Sequence, residues 1–229
     1  MSNQKIHVSD QFALNSVSVQ EEFADSRTPV IESALHHANF KKLSHRTASS
    51  QGVSLSELPV TGLLILRAQS EKPALQAAIQ STLKLDLPET LRCTGDNGSA
   101  GHCVRWVAPD EWMLSCPVED AFDIESRLRS SLNDKSVAIV NVSGGYTILR
   151  LSGPNAYDVL KKSTAYDVHP SNFGVGKVVN TVFAKAQVTM QCIDPGEYEL
   201  IVRRSFADYL WHWIQVVSLE YGLNIGIVD

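Results

Sequence analysis

The chain has 229 residues, 44% of them hydrophobic and 20% charged, with a formal net charge of −5. That length suits one large domain or two small interlocked ones with a substantial core, and the acidic balance argues against a nucleic-acid backbone as partner. No stretch approaches the roughly 18 apolar residues that would span a bilayer, and the opening MSNQKIHVSD has no signal-peptide core, so the expectation is a cytoplasmic protein without membrane contact.

Residues 1–56 read as an irregular N-terminal arm: apolar residues are scattered and polar clusters such as Thr47–Gly52 have little to pack. Within it, Val30–Phe40 has the pattern of one short amphipathic piece, and the arm as a whole is expected to dock on a partner. His36, His37 and His45 lie there, but adjacent histidines point different ways on a helix and a spacing of eight is no ligand pair. They read as exposed or interfacial side chains.

Regular patterning begins at Gly62. Leu63–Arg67 is a short apolar strand, followed by a helix over Lys72–Lys84 with Pro73 near its start and Leu75, Ala78, Ile79 and Leu83 on one face. Thr94–His102 is glycine-rich but lacks the Lys-Ser/Thr ending of a phosphate loop, so it reads as a hairpin or connection. Strands are expected at Val104–Val107 and Trp112–Cys116, joined through Ala108-Pro109-Asp110-Glu111, where the acidic pair reads as turn chemistry. A helix over Asp120–Leu132 is expected to bury Phe122, Ile124, Leu128 and Leu132. With the strand that opens SVAIVNVSGGY, the order is βαββαβ, a ferredoxin-like antiparallel sheet with two helices on one face.

A second unit repeats the theme. Tyr146–Leu151 is a strand, Ser152-Gly153-Pro154 starts a helix carrying Ala156, Val159 and Leu160, and Asp167-Val168-His169-Pro170 forms a corner with His169 partly buried. Strands follow near Lys177–Ala184, Gln187–Ile193 and Tyr198–Arg203, the last two separated by Asp194-Pro195-Gly196. The final helix begins with Ser205 as cap and Asp208 three residues on, has Phe206, Leu210, Trp213, Val217 and Tyr221 in its core stripe, and stops at Gly222. Trp211 and His212 fall off that stripe, so one of them is expected to face a partner surface.

The fold class is therefore α+β, two ferredoxin-like units with antiparallel sheets, divided as an arm over 1–56, a first unit over 57–135 and a second over 136–229. No catalytic, cofactor-binding or metal site is assigned. Asp167 and His169 lack a third group, and Cys93, Cys103, Cys116 and Cys192 lack metal-ligand spacing and read as free thiols.

Several stretches carry a resemblance: G-L-L-I-L-R at Gly62–Arg67, A-P-D-E-W-M-L at Ala108–Leu114, N-V-S-G-G-Y and L-R-L-S-G-P between Asn141 and Pro154, D-V-H-P at Asp167–Pro170, and R-R-S-F-A-D-Y-L-W-H-W at Arg203–Trp213. Together they resemble the gamma subunit family of heterotetrameric sarcosine oxidase, within the wider group built like the aminomethyltransferase (T-protein) of the glycine cleavage system. One departure is Asn141, where the pattern is closer to D-x-S, which puts any carboxylate role there in doubt. The resemblance implies an aminomethyltransferase-like, folate-binding-like fold. It also implies a non-catalytic structural subunit docked mainly on alpha, beside beta and a zinc-carrying delta, in an enzyme that oxidatively demethylates sarcosine. By the same resemblance FAD, FMN, NAD and tetrahydrofolate belong to the parent complex and none to this chain. The alternative is an independent folate-binding or one-carbon-transfer protein, but no K-G-C-Y-x-G-Q-E motif surrounds any of the four cysteines.

Overall fold

The computed structural model describes residues 32–38, 52–99, 101–133 and 135–226. The chain divides into two units, Met1–Glu32 and Ser33–Asp229, and every element below belongs to the second. The histidine at position 45 and most of the expected arm lie outside the described residues.

Eleven strands are described. A five-stranded antiparallel sheet has the order β3 (Cys93–Gly95), β4 (Cys103–Ala108), β5 (Glu111–Pro117), β2 (Thr61–Arg67), β6 (Ala138–Asn141). A six-stranded sheet has the order β11 (Leu223–Ile225), β1 (Val53–Glu57), β7 (Tyr146–Ser152), β10 (Glu197–Arg203), β9 (Ala186–Asp194), β8 (Val178–Phe183). Helices α1 (Lys72–Leu83) and α2 (Ala121–Ser131) cover one sheet; α3 (Ala156–Ser163) and α4 (Ala207–Val217) cover the other.

Strand alternation decides which side chains meet what. On β5, Trp112, Leu114 and Cys116 pack beneath α1 and α2, whereas Met113 packs on the opposite face. On β10, Tyr198, Leu200 and Val202 pack beneath α3 and α4, whereas Ile201 meets Met113, Val107, Leu63, Leu58 and Ile148. The two sheets thus pack face to face with helices outside, a four-layer α/β/β/α arrangement. At the rim Val178 N–H donates to Leu91 O (2.9 Å), and Arg92 bridges Lys177 across the two sheets.

The α+β class with two ferredoxin-like units holds, and several details differ from the sequence expectation. Val53–Glu57, within the expected arm and its border, is an inner strand paired antiparallel to β7 and parallel to β11, with Val53 and Leu55 fully buried. Two apolar residues alternating with serines are a weak strand signal by themselves, and the pairing supplies the rest. Leu35 is also core rather than arm, held where Ala34 and Leu35 N–H groups donate to the Glu57 carboxylate. On α2, Phe122 is 79% exposed, and Ala121 takes the core position with Ile124 and Leu128. The α4 stripe is rotated by one residue: Ala207, Leu210, Trp211 and Ile214 are buried, and Phe206 is exposed. No side-chain cap bond starts α4. A 3-10 turn over Arg204–Phe206 feeds the helix and resets its phase. Gly222 is followed by strand β11, and His169 is exposed rather than partly buried.

Candidate functional site

The inward faces of the two sheets are zoned along the strand direction. The middle is apolar, built from Leu58, Leu63, Val107, Met113, Ile148 and Ile201. On one side lies a sealed charged centre, on the other an open cleft.

The charged centre is Arg105 on β4 with Glu199 on β10, both fully buried. Arg105 Nη2 lies 3.2 Å from Glu199 Oε2 and donates to Ser99 Oγ at 2.8 Å, while Nε donates to Gln191 Oε1 at 2.5 Å and Nη1 to Ser115 Oγ at 2.7 Å. Glu199 accepts further bonds from Ser99 N–H (3.1 Å), Ser99 O–H (2.7 Å) and Arg150 Nη2 (2.8 Å). Each carboxylate oxygen therefore has two donors, which is what a buried charge requires. Ser99 arrives on the glycine-rich connection between β3 and β4. Gly98 at φ +115 turns the chain so that its backbone lies against Glu199, and Asn97 bonds Gln191 and Ile193 O in the opposite sheet. That connection is not a free loop; it is the clamp between the sheets.

Two thiols sit at the edge of this centre. Register places Cys93 opposite Arg105 and Gly95 opposite Cys103, so both cysteines point inward on adjacent strands. The neighbouring Cys93 thiol and the Arg105 guanidinium pull the Cys103 thiol down to about 7, whereas Cys103 beside it and burial push Cys93 up. Burial pushes Cys116 and Cys192, each facing a helix layer, up to about 11. All four are free thiols.

The open cleft has a volume of about 530 Å³ and lies between Met113 and Val107 of one sheet and Ile201 of the other. Its polar lining includes Glu111, Tyr146 and Arg203, with Asn180 and Thr189 bonded to each other at 2.6 Å. A second cleft of about 610 Å³ is walled by Tyr157, Phe173 and Tyr198 beside Pro170. Phe173 and Tyr198 stack at 6.0 Å.

The residues singled out in the sequence do not converge on one place. Asp110 pairs with Arg67 at 2.9 Å, as a turn residue. Asp167 accepts the His169 N–H (3.0 Å), and His169 Nδ1 meets Ser171 Oγ at 2.7 Å, a self-contained corner. His37 Nε2 meets Asp208 Oδ1 at 2.7 Å at the start of α4, with His212 Nε2 3.5 Å from the same oxygen. Trp211 is 6% exposed and belongs to the core, and Trp213 Nε1 donates to Ser163 Oγ (3.0 Å). Asn141 Oδ1 accepts from Ser143 N–H (3.1 Å) and O–H (2.6 Å), so its amide oxygen serves the acceptor role a carboxylate would have in D-x-S. Among the described residues, no group of three His, Cys, Asp or Glu is placed to hold a metal ion, and no helix is long and apolar enough to cross a membrane.

Sequence reasoning missed Arg105, Gln191 and Glu199. Their signal is a charged or amide residue mid-strand, flanked on both sides by apolar neighbours, where each must find a partner across the sheets.

The description "Sarcosine oxidase, gamma subunit family" matches residues 67–220. The chain is 29% identical to the sarcosine oxidase subunit gamma of Corynebacterium sp. (strain U-96), over 76% of this chain and 83% of that one. It is 29% identical to the Arthrobacter sp. subunit gamma over 64% and 70%. A solved chain of the heterotetrameric sarcosine oxidase from Corynebacterium sp. U-96 superposes with TM-score 0.75 at 27% identity, covering 84% of this chain and 97% of that one. The glycine cleavage aminomethyltransferase T from Bartonella henselae shares the fold, with TM-score 0.55 at 14% identity, covering 82% of this chain and 50% of that one.

Proposed function

Since the chain belongs to the sarcosine oxidase gamma subunit family, a component of a heterotetrameric oxidoreductase, we propose that it is the non-catalytic, structural member of its complex. In this reading it docks mainly on the alpha subunit, beside beta and delta, in the cytoplasm. The complex oxidatively demethylates sarcosine to glycine and passes the one-carbon unit to tetrahydrofolate. FAD, FMN and NAD reside in the partner subunits, zinc in delta, and the isolated chain is inactive.

The observation that carries this reading is the 97% coverage of the solved heterotetramer's chain at TM-score 0.75. Within this chain the strongest polar constellation is closed. Arg105 and Glu199 have every partner they need and no exposed surface, so a substrate cannot reach them. A clamp of this kind fixes the register of two sheets, which suits a rigid docking body. The four free thiols agree with a reducing compartment. In this reading the docking segment lies ahead of Val53, since β1 is an inner strand of the fold.

The test is co-expression of the tagged chain with alpha, beta and delta subunits, followed by purification and a flavin absorbance scan. A stoichiometric yellow complex is expected, and removal of residues 1–31 weakens its assembly while leaving the chain folded. Removal of residues 1–56 also deletes strand β1 and abolishes folding, so only the shorter truncation tests docking. A colourless chain that stays alone and is stabilised by tetrahydrofolate would overturn the proposal.

A further inference from the structure

The open cleft between the sheets has an arrangement of charges that the fold itself does not use. Arg203 ends β10, and Tyr146 stands directly across from it on β7. Glu111 begins β5 in the other sheet. All three line the same 530 Å³ space. Neither the Arg203 guanidinium nor the Glu111 carboxylate makes a hydrogen bond or a close ion pair among the described residues, although Glu111 stands opposite Arg67 of β2 and feels its charge, and both border one cavity. The neighbouring cation, Arg67, is taken by Asp110 at 2.9 Å. The buried centre is the contrast: there every charge of Arg105 and Glu199 is matched. Met113 and Val107 on one side and Ile201 on the other give this cleft an apolar stretch, within a lining that also carries Asn180, Thr181, Gln187 and Thr189.

We propose that this cleft binds a small zwitterion, an α-amino acid with an apolar side chain. Its carboxylate sits on Arg203 beside the Tyr146 hydroxyl, its ammonium on Glu111, and its side chain between Met113 and Ile201. A guanidinium recognises a carboxylate through paired N–H donors, and a carboxylate accepts from an ammonium; each is a charge-assisted bond. A dicarboxylate would meet repulsion at Glu111, and a polyphosphate would find a single cation where several are needed. This proposal does not rest on assembly with partner subunits, so it stands or falls separately from the subunit reading.

The experiment is calorimetric titration of the full chain with L-leucine and L-phenylalanine, beside two half-ligands, isocaproate (carboxylate only) and isoamylamine (ammonium only). Binding of at least one amino acid with Kd below about 1 mM is expected, with both half-ligands weaker by about tenfold or more. Arg203→Gln and Glu111→Gln each weaken the amino acid by about tenfold or more. Their circular dichroism and melting temperature without ligand stay those of the parent, because neither side chain is bonded to the fold. Phe122→Ser, at an exposed site on α2, binds as the parent does. Absence of heat with both amino acids up to about 10 mM, or undiminished affinity in Arg203→Gln, overturns the proposal.

Discussion

Glu199→Gln removes one charge from the sealed centre while keeping the side chain's size. The carboxylate it replaces accepts from Ser99 twice, from Arg150 at 2.8 Å and from Arg105 at 3.2 Å. The amide supplies one acceptor and sets an N–H₂ group against donors, and it leaves the Arg105 guanidinium, fully buried, with only neutral partners. Removing one member of a buried ion pair costs about 3–5 kcal/mol. For a chain of this size about 2–4 °C accompany each kcal/mol, so a fall in Tm of roughly 6–20 °C is expected. Urea denaturation at neutral pH should move the midpoint with little change in slope. The companion variant Arg105→Met, combined with Glu199→Gln, should be less damaged than the sum of the two singles, with a coupling of about 1–3 kcal/mol. A loss below about 1 kcal/mol for Glu199→Gln, or strict additivity of the pair, would refute the argument that this charge pair clamps the sheets.

Trp211→Ala empties a core position beneath the six-stranded sheet and is expected to cost about 3–5 kcal/mol; Phe122→Ser, at a site 79% exposed, should stay within about 0.5 kcal/mol. Urea midpoints of both variants separate the observed helix phases from those read off the sequence. Gly98→Ala forces φ +115 on an L-residue and brings its Cβ to 3.2 Å from Glu199 Oε1. A loss of about 1–3 kcal/mol is expected, measured by thermal unfolding, and an unchanged Tm would mean that the connection is not held against Glu199. Burial raises Cys116 and Cys192 from an ordinary 9.0 to about 11. Above the unfolded value the unfolded state releases these protons first, so the part of stability they carry is intact below pH 9 and falls as pH rises from 9 to 11. In a pH series of urea midpoints, Cys116→Ala with Cys192→Ala should flatten that fall relative to the parent; an identical slope would count against the burial argument.

Apart from the short edge strands β3 and β11, the order of strands and helices from Gly62 onward was legible because hydrophobic period and turn residues are local signals. Leu63–Arg67 with α1, the Asp194-Pro195-Gly196 turn and the corner at Pro170 needed no tertiary partner to be seen. The phase of a helix is less local. Leu210 suits the core with either neighbour, and only the 3-10 turn ahead of α4 and the sheet beneath it decide that Trp211 goes inside while Phe206 goes out. Strand β1 was invisible for a related reason. Val53-Ser54-Leu55-Ser56 has modest propensity, and becomes a strand because β7 and β11 already offer their edges to it, from residues about 100 and 170 positions away.

The sites divide along the same line. The absence of a nucleophile motif, a phosphate loop or paired cysteines could be read directly, since such chemistry needs fixed local spacing. Arg105, Gln191 and Glu199 lie on three strands of two sheets, and nothing in their immediate neighbours says which charge meets which. The same holds for Glu111 and Arg203 at the mouth of the cleft. By itself the sequence determined most of the elements and the period of their faces, because side-chain period is set by backbone geometry. The tertiary structure decided which faces meet, and hence which charges are sealed as partners and which are left facing open space.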